Sequence, residues 1–181
     1  MTCVILQNPP AGKMVRLWLD ELPTAACLPV GLQVETLSLQ GQTVAVGSRL
    51  LAMEVFSPGG SSFQYGLLGV SFVSGPAGRF EARVPVEDPA DVREMKDPLT
   101  KALDRVTIGG GAQFGYSILK SFREMDQDSL PAGIFSCTCM AQGELGSVPM
   151  MFASLARALV RMLTQPRIVP SYQQAVHLLT A

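Results

Sequence analysis

The residues best placed to do chemistry lie where a short strand runs into a helix, from Val106 through Gly109-Gly110-Gly111 to Ser117. Consecutive glycines ahead of a helix leave backbone N–H groups at the positive end of the helix dipole, a setting that attracts phosphates and other anions. Gly110, Gly115 and Ser117 keep a phosphate-loop spacing, but Tyr116 stands where that loop needs its lysine. The dinucleotide fingerprint fails as well, because Phe114 occupies the third glycine position counted from Gly109. What remains is a candidate anion site made of Gly109, Gly110, Gly111 and Ser117, with Lys120 on the following helix. The plainer alternative is a tight turn or a close approach of backbone to a neighbouring element.

Other chemistry-bearing residues are sparser. Cys137-Thr138-Cys139 puts two thiols on one face of an expected strand, too far apart for an easy disulfide and without further ligands for a metal. His177, the sole histidine, falls in a C-terminal helix, and residues 145–181 hold no acid to orient it. Glu124, Asp126 and Asp128 lack the glycine and later ligands of a calcium loop. Acids and bases between Glu87 and Arg105 alternate at helical spacings, such as Asp97 with Lys101, and read as a solvated face. A second candidate is an interaction face on the helix after residue 148, where Met151, Arg157 and Arg161 could meet a protein partner, although methionines at helical spacing also suit a core. No motif implies a cofactor or a metal.

Bulk properties narrow the choices. The 181 residues carry 48% hydrophobic and 16% charged side chains and a net charge of −1. That balance exerts no general pull on nucleic acid or an anionic membrane. Phe63, Tyr65 and Phe72 are strand aromatics of the kind RNA platforms use, but no basic stripe accompanies them. With so little charge, either Gly, Ser, Thr and Gln in the loops supply the polar surface or part of it is apolar and covered by a partner, a pointer towards an oligomer. No run of apolar residues approaches a membrane span, the N-terminus lacks a basic signal region, and the four cysteines show no disulfide framework, so a cytoplasmic protein with reduced thiols is expected.

The elements that must position these residues change character near residue 87. Before it, strands are expected at Cys3–Gln7, Met14–Asp20, Leu32–Leu39 with a bulge before Leu37, Thr43–Val46 and Leu50–Phe56. Leu67–Val73 and Arg79–Val86 are expected to form a hairpin. After it, Asp88-Pro89 and Asp97-Pro98 read as helix starts, giving either two short helices or one kinked at the second, with Leu99, Ala102, Leu103 and Val106 on the core face. A strand at 106–108, a helix bearing Phe114, Ile118 and Phe122, an interior strand at 133–141 and two helices complete the chain. Strands segregated before helices predict an α+β fold: an antiparallel β-rich N-terminal half, then a helix-rich half with one or two further strands. One domain over 1–181 is expected, with 1–87 and 88–181 as its only plausible subdivision. The functional expectation is a non-catalytic binding or assembly protein forming homo-oligomers. The alternative is a small-molecule-binding protein or enzyme holding an anionic ligand at residues 109–117.

Overall fold

A computed structural model describes residues 2–7, 12–42, 47–75, 78–165 and 169–180. The expected strand at 43–46, parts of the 8–13 and 74–78 loops, and Arg167 lie outside the described residues.

The strands are β1 (Thr2–Gln7), β2 (Met14–Leu19), β3 (Val34–Leu39), β4 (Arg49–Gly59), β5 (Ser62–Ser74), β6 (Phe80–Pro85), β7 (Val106–Ile108) and β8 (Gly133–Gly143). They form one sheet in the order β1-β2-β4-β5-β8-β6-β3, with β7 beside the distal end of β8. Every pairing is antiparallel except β6 with β8. The helices are α1 (Ala112–Arg123), α2 (Pro149–Leu163) and α3 (Tyr172–Thr180). This is the α+β arrangement read from the sequence, strand-rich first and helical towards the end.

Period-2 alternation assigns each strand two faces. Val15, Leu17 and Leu19 of β2, Leu51, Met53 and Val55 of β4, and Leu68, Val70 and Phe72 of β5 point to one side. There they pack with Phe114, Ile118 and Phe122 of α1 and with a near-continuous apolar surface of α2, including Phe152, Leu155 and Leu159. This core draws on residues from both sides of position 87. The opposite face presents Trp18, Ala52, Tyr65, Leu67, Cys139 and Ala141, covered not by helices but by irregular chain bearing Leu22, Ala26, Cys27, Leu28 and Met95.

Several local expectations are corrected. β5 and β6 are not a hairpin, because β8 inserts between them, antiparallel to β5 and parallel to β6. β4 does not stop at Phe56; it runs through Pro58 to Gly59 and turns directly into β5 through Gly60, whose φ is +64°. β3 pairs with β6 in unbroken register from Val34↔Pro85 to Leu39↔Phe80, so it carries no bulge. The bulge lies in β8: Gly69 pairs Cys139 and Val70 pairs Cys137, leaving Thr138 extra. That extra residue sends Cys137 to the helix side and Cys139 to the opposite side, so the two thiols do not share a face.

No α-helix forms in 88–105, neither two short ones nor one kinked; a 3-10 turn at Lys101–Leu103 and an antiparallel bridge from Glu94 to Thr107 are the regular structure there. The reason lies in tertiary hydrogen bonds: Met95 N–H donates to the Val106 carbonyl and Ile108 N–H to that of Arg93, holding the segment alongside β7. Asp97 and Lys101 adopt φ values of 55° and 52°, incompatible with a right-handed α-helix, and Leu103 points to solvent. Asp97 accordingly pairs with Arg16 rather than with Lys101. In α3 the buried face is Ala175, Leu178 and Leu179, with Tyr172 and Val176 at its margin.

Candidate functional site

The glycine junction is packed from within. Gly109, at φ +117°, sits under Pro89: a Cβ there would stand 2.5 Å from the ring Cδ. One on Gly110 would collide with the Met140 sulfur, and one on Gly111 would lie 2.8 Å from an oxygen of the Asp88 carboxylate. A carboxylate of the chain itself thus stands over the start of α1. Ser117 Oγ donates to the Pro149 carbonyl at 2.8 Å, tying α1 to α2, and Lys120 extends into solvent near Glu124. The structure therefore does not bring Ser117 and Lys120 together over the glycines.

Within the expected interaction face, Met151 is core, as is Met162; the exposed methionine is Met150. Arg157 contacts the Ser154 hydroxyl, and Arg161 donates to the Leu178 carbonyl at 2.9 Å, holding the end of α3 against α2. Burial and the neighbouring Arg157 push the Arg161 guanidinium below its ordinary value. His177 is exposed. Tyr65 and Phe72 are fully buried on opposite faces of β5, so neither offers a ring for a base to stack on.

The strongest polar constellation was not singled out from the sequence. Glu54, at 0% exposure, lies on the face of β4 away from the helices. Its Oε1 accepts from the Tyr65 hydroxyl at 3.0 Å and from the Leu99 amide at 2.7 Å, and Arg16 Nη1 stands 3.2 Å from Oε2. Arg16 also donates to the Asp97 carbonyl and lies over Trp18. Burial raises the Glu54 carboxyl above its ordinary value, outweighing the opposing pull of the Leu99 amide, Arg16 and Tyr65. The Tyr65 hydroxyl is pushed up in turn by burial and by Glu54. The signal in sequence was one acid inside the apolar run Leu50–Phe56. Because both Glu54 and Tyr65 are sealed from solvent, the cluster works as a clasp, fixing the 88–105 segment to the sheet.

The remaining distinctive surface is the β1 edge. β1 pairs only β2 among the described residues, from Thr2↔Leu19 to Gln7↔Met14, in unbroken register. Its sequence, Thr-Cys-Val-Ile-Leu-Gln, holds no charge and no proline. Leu6 leans on the helix-side core, whereas Cys3 is exposed and Ile5 is 48% exposed. β3, at the other end of the sheet, carries Glu35.

Compared with protein-family models, curated proteins and solved structures, the chain matches none. Among the described residues, no helix is long and apolar enough to cross a membrane.

Proposed function

We propose that the protein is a non-catalytic assembly protein whose copies join through β1. The observation that carries this reading is an uncharged, proline-free edge strand with Ile5 half-exposed. Sheet edges expose a row of backbone donors and acceptors that template pairing with another chain, and edges meant to stay single usually carry charge, proline or a bulge. A second copy is the natural occupant, because antiparallel pairing about a twofold axis sets the strand against itself with no like charges opposed. With the twofold at Ile5, Val4 of each copy meets Leu6 of the other, so both helix layers stay on one side of a continuous sheet. Each opposed pair contributes roughly 0.2–1 kcal/mol, so the dimer dissociates on dilution.

An anion at the glycine junction is the second reading, supported by the absence of a side-chain cap or first-turn acid on α1. The Asp88 carboxylate over Gly111 weighs against it.

Sedimentation equilibrium and native mass spectrometry test the assembly. The wild-type chain is expected to form a concentration-dependent dimer, and Ile5→Lys, which puts charge on a solvent-facing position, is expected to be a folded monomer. Wild-type protein that stays monomeric at high concentration, or a variant that dimerises equally, refutes the reading. A monomer carrying extra small-molecule mass would redirect attention to residues 109–117.

A further inference from the structure

The covering layer opposite the helices carries a second chemistry, independent of the β1 edge. Cys27 follows the 3-10 turn at Thr24–Ala26 and forms an antiparallel bridge with Cys139 of β8. The Leu28 amide donates to the Thr138 carbonyl at 2.9 Å. That bond makes Cys27 and Cys139 a non-hydrogen-bonded pair, the arrangement in which facing side chains of antiparallel strands come closest. Their Sγ atoms stand 3.4 Å apart. The β8 bulge is what creates this juxtaposition, since it turns Cys139 away from Cys137 and into the layer that holds Cys27.

We infer that Cys27 and Cys139 form an oxidisable dithiol, which hydrogen peroxide or a similar small peroxide converts to an intramolecular disulfide that locks the 20–33 segment onto the centre of the sheet. Both sulfurs already lie in one bridge, and side-chain rotation closes the gap to an S–S bond of about 2.05 Å. Cys27 is the half-buried member and reacts first, whereas Cys139 is fully buried and its thiol is pushed up by that burial. The Cys27 thiolate takes one peroxide oxygen as the O–O bond breaks, giving a sulfenic acid; the departing hydroxide gains a proton and leaves as water. The Cys139 sulfur then attacks the Cys27 sulfur, the S–O bond breaks, and the hydroxide leaves with the Cys139 proton as a second water. Two thiols are oxidised and one peroxide is reduced to two waters.

The two other cysteines serve as internal references. Cys137 is buried in the helix-side core, and Cys3 is exposed on β1. The test treats the intact folded chain with a small excess of hydrogen peroxide, caps remaining thiols with an alkylating reagent, and maps peptides by mass spectrometry without reduction. The expected result is a peptide joining Cys27 to Cys139, with two of the four thiols lost to alkylation and recovered with dithiothreitol. Cys27→Ser is expected to abolish the joined peptide and leave Cys139 a thiol that alkylates on unfolding. Cys139→Ala is the reciprocal control, with circular dichroism reporting the fold of each variant. Persistence of both thiols, oxidation of Cys27 to a sulfinic acid while Cys139 stays free, or a link through Cys3 or Cys137 instead would overturn the inference.

Discussion

Replacing Glu54 with Gln tests whether the buried carboxylate holds the covering layer to the sheet. The amide oxygen of Gln can still accept from Tyr65 and Leu99, but its NH2 group then faces the Arg16 guanidinium, donor against donor. Removing one member of a buried ion pair typically costs about 3–5 kcal/mol. Arg16 keeps the Asp97 carbonyl at 3.0 Å and its carboxylate at 3.6 Å, and its side chain is 12% exposed. The low end, about 3 kcal/mol, is therefore expected. For a chain of this size that lowers Tm by about 6–12 °C. Urea unfolding near neutral pH should show a lower midpoint with unchanged slope, and hydrogen exchange should quicken at the Leu99 amide. The pH dependence has a definite sign. Because burial raises the Glu54 carboxyl, the folded state holds a proton that the unfolded state has released, so stability falls as pH rises from the ordinary glutamate value through the raised one. The Gln variant lacks that component. A deficit under about 1 kcal/mol, the scale of one ordinary hydrogen bond, with unchanged Leu99 exchange would refute the clasp.

Two further substitutions test the packing that frames the sheet. Gly115→Ala would push a methyl group against the Pro85 carbonyl where α1 crosses the end of β6; overpacking of this kind costs about 1–3 kcal/mol, read as a lower urea midpoint. Arg49, nearly buried, donates to the Met162 carbonyl at 2.9 Å and lies near Asp20. Arg49→Met removes a charged hydrogen bond from the end of α2, at a cost of about 1.5–3 kcal/mol, and should speed amide exchange in the last turn of that helix.

The elements legible from sequence were those whose side chains alternate against a core. β2, β6, α1 and α2 declare themselves through Val15-Leu17-Leu19, Phe80-Ala82-Val84, Phe114-Ile118-Phe122 and Phe152-Leu155-Leu159. Pairing was not legible in the same way. Leu67–Val73 and Arg79–Val86 look like hairpin arms because both alternate and a glycine-rich link joins them, yet β8, some fifty positions further on, takes the place between them. Asp-Pro at 88–89 and 97–98 suits a helix start and a turn equally well, and the contacts to β7 that decide between them are tertiary. Glu54 was visible as a charge in an apolar strand, but its partners at positions 16, 65 and 99 are gathered only by folding.

The burial of Glu54 follows from the kind of cover that lies over it. Helices α1 and α2 satisfy their own backbone hydrogen bonds, so they cover their side of the sheet with apolar side chains. The 20–33 and 87–105 segments are largely irregular and must find partners for their buried amides elsewhere. Leu28 finds the Thr138 carbonyl and Met95 finds that of Val106, while the Gln33 carbonyl accepts from Val86. The Leu99 amide instead donates to a side chain, Glu54 Oε1. A neutral apolar residue at position 54 would leave that amide unpaired, at roughly 1–3 kcal/mol, and the Tyr65 hydroxyl with only the Met95 sulfur as a weak acceptor. The carboxylate is therefore retained despite its desolvation, and Arg16 offsets the charge. Cys27 belongs to the same layer, its carbonyl held by Arg93 at 3.0 Å. A disulfide to Cys139 would close a loop spanning 112 positions, worth up to about 4.7 kcal/mol by loop-closure entropy. The oxidised protein should therefore tolerate Glu54→Gln at temperatures where the reduced variant unfolds, because the two fasteners hold one cover at different points.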